Sequence, residues 1–121
     1  DLLDREQLTG LVGRVEDEAG PVDVIVNNAG MGDTGTHWGL ADGSIENQVR
    51  LNLVAPLELC RQAIPRMLER GGGHLVNVAS LAALASVPGM TTYAATKAGL
   101  AHGAAALRDE HAAALADVLG W

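Results

Sequence analysis

The chain has 121 residues, 48% of them hydrophobic, with 15 glycines, one tyrosine, two tryptophans and no phenylalanine. That is enough for a single core built from Leu, Val, Ile and Ala. A net charge of −7 argues against a nucleic-acid partner, which would ask for a basic patch, and no apolar run approaches the length of a membrane span.

Leu8, Leu11, Val12, Val15 and Ala19 recur at helical spacing, which predicts a helix over about Asp4 to Ala19, closed by Gly20-Pro21. Val22 to Asn27 is a short β-branched run of the kind buried on both faces in a parallel sheet covered by helices. Met31 to Gly43 reads as a glycine-rich loop. Ser44 is placed to N-cap a long helix to about Arg70, with Pro56 and Pro65 as kinks and Gly71-Gly72-Gly73 as its end. His74 to Ala79 predicts a second strand, Pro88-Gly89 marks a turn in the next loop, and an Ala-rich helix is expected from about Thr92 to Leu119. The order helix, strand, helix, strand, helix predicts an α/β fold with a parallel sheet, the ligand site lying outside the carboxyl ends of the strands. Two strands are too few for such a sheet. A chain that begins with Asp and stops at Trp121 after a helical pattern therefore reads as one domain, 1–121, truncated at both ends.

Tyr93 and Lys97 stand four residues apart, one helical turn on one face, so a phenol and an ammonium address the same site. A fixed cation favours the phenolate, which suits tyrosine to proton transfer near neutral pH. Ser80, at the end of the second strand, offers a hydroxyl that can hydrogen-bond the same substrate oxygen. Gly30-Met31-Gly32-Asp33-Thr34-Gly35 spells G-x-G-x-x-G, but no helix opens directly after it, so it is not read as a phosphate loop. Small residues in Asn27-Asn28-Ala29-Gly30 let the backbone approach a flat ligand, and the asparagine amides can tie neighbouring strand ends together. Cys60 is single, which excludes an internal disulfide and suits a reducing cytoplasm; it reads as a packed thiol. No serine sits in a G-x-S-x-G elbow and the four histidines lack metal-ligand spacing, so neither a serine hydrolase nor a metal site is expected.

These segments in this order (Asn27 to Gly30, Asn52 with Pro56, Ser80, then Tyr93 and Lys97) resemble the short-chain dehydrogenase/reductase family, in its ordinary-length single-domain branch. The resemblance runs from Asp1 to about His111. It implies part of a Rossmann-like doubly wound parallel sheet and an NAD- or NADP-dependent oxidoreductase that interconverts a secondary alcohol and a ketone. By the same resemblance Tyr93 is the general acid/base and Ser80 holds the substrate oxygen. Lys97 binds the nicotinamide ribose and favours the tyrosinate, and Asn52 holds a water that links the lysine to solvent. Asn28, Ala29 and Gly30 border the dinucleotide, and Asp1, in Asp1-Leu2-Leu3-Asp4, contacts its adenine. A homodimer or homotetramer formed through the two long helices is also implied. An epimerase or dehydratase of the extended branch, which also uses Tyr and Lys with a bound nicotinamide, stays open, and because the family's T-G-x-x-x-G-x-G turn is missing from these residues so does a non-catalytic fragment or binding homologue. The missing turn also predicts that the chain alone binds dinucleotide weakly and shows no activity.

Overall fold

The computed structural model describes residues 1–111 and 117–120, with His111 and 117–120 as backbone alone. In chain order the elements are α1 (Arg5–Leu8), α2 (Leu11–Ala19), β1 (Val24–Asn27), α3 (Ser44–Val49), a π-helical turn (Arg50–Val54), α4 (Ala55–Glu69), β2 (His74–Asn77), α5 (Thr91–His111) and β3 (Asp117–Gly120). The three strands form one parallel sheet in the order β1-β2-β3, with Val24 opposite His74 and Asn27 opposite Asn77. The expected α/β architecture is present, with one strand more than the sequence suggested. The Ala-rich pattern, expected to stay helical to Leu119, gives way to β3 at Asp117, while 112–116 lie outside the described residues.

The first predicted helix is two. Asp4 caps α1, its carboxylate accepting the N–H groups of Glu6 (2.9 Å) and Gln7 (3.3 Å). At Gly10 the backbone turns through φ 67°, a left-handed conformation that glycine adopts without cost, and α2 starts afresh. Such a break orphans a carbonyl and an N–H. Gln62 of α4 answers both, donating from Nε2 to the Leu8 carbonyl at 2.8 Å and accepting from the Val12 N–H at 3.1 Å.

Leu8 and Val12 bury themselves against Ala55, Leu59, Cys60, Ala63, Ile64 and Met67 of α4 and Leu75 of β2, with Ile25 packed at the edge of this core. Because strand side chains alternate, Ile25, Asn27, Leu75 and Asn77 face the helices. The other face is bare: Val24 and Val26 are 53% and 58% exposed. The expectation that β1 is buried on both faces is therefore corrected, because the core to which α1, α2, α4 and α5 contribute lies on the Ile25 and Leu75 side.

Ser44 is not the cap of α3. Gly43 occupies that position, and Ser44 opens the helix with its hydroxyl turned to the Asp33 carboxylate. The bend expected at Pro56 is taken up one turn earlier. Between Arg50 and Val54 the helix widens to a π turn, with Ala55 N–H donating to the Arg50 carbonyl, just before a proline that has no N–H for the carbonyl four residues back. Pro65 sits inside α4, which continues to Glu69. Among the described residues no helix is long and apolar enough to cross a membrane.

Candidate active site

The site gathers at the carboxyl ends of β1 and β2. Asn27 and Asn77 are register partners at these ends, and Asn27 Nδ2 donates to Asn77 Oδ1 at 2.7 Å, as expected of amides that tie strands together. Cys60 packs beside this pair, and burial pushes its thiol up from the ordinary range, so it is a packed thiol and no nucleophile.

Beyond β1 the chain leaves as Asn28-Ala29-Gly30-Met31-Gly32. Asn52, fully buried in the π turn, grips this loop as a neighbouring strand would: its Oδ1 accepts from Met31 N–H at 2.8 Å and its Nδ2 donates to Met31 C=O at 2.6 Å. The same Nδ2 reaches Thr96 Oγ1 at 3.1 Å, and Thr96 Oγ1 donates to the Tyr93 carbonyl at 2.8 Å. One amide thus joins the loop, the π turn and α5. Both N–H donors of the side chain are used on protein partners, while Oδ1 accepts one bond and keeps a second lone pair.

Lys97 is 5% exposed. Its Nζ donates to the Val78 carbonyl at 3.0 Å, past the end of β2, and lies 5.8 Å from the centroid of the Tyr93 ring. Among the described residues no carboxylate stands within ion-pair distance of it. An ammonium has three N–H donors, and here one is used. Tyr93 and Lys97 line a cavity of about 250 Å³ together with Asn28, Gly30, Met31, Gly32, Val78 and Ala79. Two glycines bring the backbone close: a Cβ on Gly30 would stand 3.3 Å from Lys97 Nζ, and one on Gly32 would stand 2.8 Å from Tyr93 Cδ2.

The remaining predicted residues lie around this cavity and not all in it. Ser80 lines a separate cavity of about 230 Å³ with Leu81, Ala83, Leu84 and Ala101, and Ala79 belongs to both. Its Oγ accepts the Ala82 N–H at 3.2 Å, which leaves its own proton for another acceptor. Ala29 faces a small groove between Leu2, Leu51 and Pro56. Asp1 is exposed, with its carboxylate turned to the Leu3 N–H at 2.9 Å; its nearest link to the site is Leu2 in that groove. The run Gly30 to Gly35 leads into an irregular loop containing a single turn, His37–Gly39, so it has no helix at which to seat a pyrophosphate. No cluster of three metal-ligating side chains exists among the described residues. Thr96 and Gln48 escaped sequence reading, since Thr and Gln on a helix carry no signal until their partners are known; Gly32 was read only as part of the G-x-G-x-x-G run.

The short chain dehydrogenase family profile matches residues 1–118. The chain belongs to the short-chain dehydrogenase family. It is similar to the ketoacyl reductase HetN of Nostoc sp., with 41% identity over 110 residues that make up 91% of this chain and 38% of that protein. Among solved structures it resembles the bulky-bulky ketone specific alcohol dehydrogenase of Comamonas testosteroni, at 31% identity and a TM-score of 0.86, covering 95% of this chain and 46% of that one. A 4-hydroxyisoleucine dehydrogenase complexed with NADH and succinate matches with 27% identity and a TM-score of 0.86 over 94% of this chain and 55% of its own. The chain spans less than half the length of the curated relatives it matches, from 17% to about 40%. Membership makes the Rossmann-like α/β arrangement part of a short-chain dehydrogenase fold.

Proposed function

We propose that this chain carries the proton-transfer half of an NAD- or NADP-dependent oxidoreductase that interconverts a secondary alcohol and a ketone. The observation that carries the proposal is Lys97: a buried ammonium, held by one backbone carbonyl, with spare donors at a cavity it shares with a tyrosine. Burying an unpaired charge is costly, so a cation in this state is a mark of a binding or reacting site. The relatives named for a ketoacyl substrate and a bulky ketone, and the one complexed with NADH, point to the same chemistry.

The cavity fits the nicotinamide-ribose end of such a cofactor. Its glycine backbone at Gly30 and Gly32 leaves room for a flat group, and Lys97 offers donors suited to ribose hydroxyls. The bound cofactor supplies or accepts hydride. The chain's own residues do the rest. Tyr93 gives a proton from its hydroxyl to the carbonyl oxygen in reduction and takes one from the alcohol in oxidation. Ser80 uses its free O–H to hold that oxygen, and Lys97 places positive charge beside the phenol. Asn52 holds the loop wall against both. The described residues provide no pyrophosphate seat, and a longer protein of the relatives' length would have to supply it.

The test is Tyr93→Phe in such a full-length protein containing this chain. It removes the proton donor and keeps the ring. Turnover of a ketone with NADH or NADPH should fall about 10²–10⁴-fold, the usual worth of positioned acid–base catalysis, with dinucleotide affinity preserved in calorimetry. Undiminished turnover would sink the assignment.

A further inference from the structure

The G-x-G letters at Gly30 and Gly32 have no phosphate to hold, yet both glycines sit where a side chain could not. Neither has a positive φ, so the backbone conformation does not demand glycine. The surroundings do. At Gly32 a Cβ would stand 2.8 Å from Tyr93 Cδ2, 3.2 Å from Cγ and 3.3 Å from Cε2, closer than packed carbons approach. These atoms include the root of the ring, not a mobile tip, so the ring itself would have to turn.

The loop cannot yield instead, because it is pinned on both sides of Gly32. On one side Asn52 holds both backbone groups of Met31. On the other, the Asp33 carboxylate accepts from the buried Ser44 hydroxyl, which in turn accepts from Gln48 Nε2 at 3.1 Å. Further on, Gly35 N–H donates to the Gly89 carbonyl at 3.0 Å, tying this loop to the one that leads into α5.

We propose that Gly32 is a positioning residue for Tyr93: its bare Cα is the surface on which the ring rests, and the pinned loop thereby sets where the phenol hydroxyl stands over the cavity. The statement rests on the proposed role of Tyr93 in proton transfer. The contact itself can be read without it.

Tyr93 is the chain's single tyrosine, so ring-labelled tyrosine gives NMR signals from this residue alone. The test compares Gly32→Ala with Gly39→Ala. Gly39 also lacks a positive φ and lies in the same loop, but its Cβ would meet only Thr36 Oγ1, at 2.7 Å, a hydroxyl free to rotate away. Gly32→Ala should move the Tyr93 ring resonances, and in the full-length protein it should lower kcat about ten- to a hundredfold, the scale of a small misplacement of a reacting group. Gly39→Ala should do neither. Unmoved ring signals, or a kcat loss shared equally by Gly39→Ala, would overturn the proposal. If Gly32→Ala does not fold, Asp33→Asn at an exposed position loosens the pin, and the ring signals should shift with a smaller loss of kcat; still signals would overturn it equally. Ring movement with unchanged kcat would also overturn it. Retained turnover in Tyr93→Phe would instead remove the catalytic reading and leave the contact standing.

Discussion

At the scale of one residue, Lys97 is the side chain on which the proposed function rests. Desolvation works against a buried charge, and the single bond to the Val78 carbonyl does little to offset it. In the proposed function, ribose hydroxyls would take up the remaining donors and restore the balance. Lys97→Met keeps the stem and removes the ammonium. Hydrogen bonds to a charged group are worth about 1.5–3 kcal/mol, so dinucleotide affinity in the full-length protein should fall about ten- to a hundredfold, with turnover falling as well. Calorimetry and steady-state rates read the two effects separately. A loss confined to folding, with normal kinetics in the folded fraction, would return Lys97 to a packing role. Tyr93 and Lys97 were legible in the sequence because their spacing is local. Thr96, between them, was not: its hydroxyl matters only because Asn52, 44 residues earlier, arrives beside it.

Among the elements, the α2–α4 contact is where charge contributes to folding. The Glu16 carboxylate accepts the Val22 N–H at 2.7 Å and pairs with Arg66 of α4 and with Arg70, which caps that helix, each at 3.0 Å. The Val22 bond above all holds its pKa below the ordinary carboxylate value; burial opposes it next, and the Arg66 and Arg70 guanidinium groups add further downward pulls, each smaller than the effect of burial. A depressed carboxylate pKa contributes stability that is complete above the unfolded-state pKa and is lost as pH falls through the folded one. Glu16→Gln should therefore lower Tm at pH 7, and the difference from the parent chain should close as pH falls below about 4. A difference independent of pH would mean that the contact works by packing alone. The helical stretches themselves were legible from period and caps. Their breaks were not: the split at Thr9–Gly10 depends on Gln62 arriving from α4, and the start of β3 depends on the open edge of β2, which pairs with Asp117–Gly120 against the local Ala-rich preference.

The molecule as a whole is a three-stranded sheet with helices packed on one side. Val24 and Val26 leave apolar surface on the other. Exposed apolar surface on a parallel sheet is unusual, since such sheets are ordinarily covered on both faces. The chain in isolation should therefore bind an apolar dye and self-associate in light scattering, and the double variant Val24→Thr, Val26→Thr should reduce both while leaving helical content intact. Association indifferent to these two positions would place the sticky surface elsewhere.

The order of strands and helices, the Asn27 to Gly30 approach, and the Tyr93–Lys97 pair follow from local rules: hydrophobic period, glycine and proline placement, and the four-residue turn of a helix. Tertiary structure alone decided which face of β1 stays bare, that Asn52 spends its amide on the Met31 backbone, and that Gly32 touches Tyr93. Each of these depends on atoms distant in sequence meeting within hydrogen-bond or van der Waals range, and the range of local periodicity ends at a few residues.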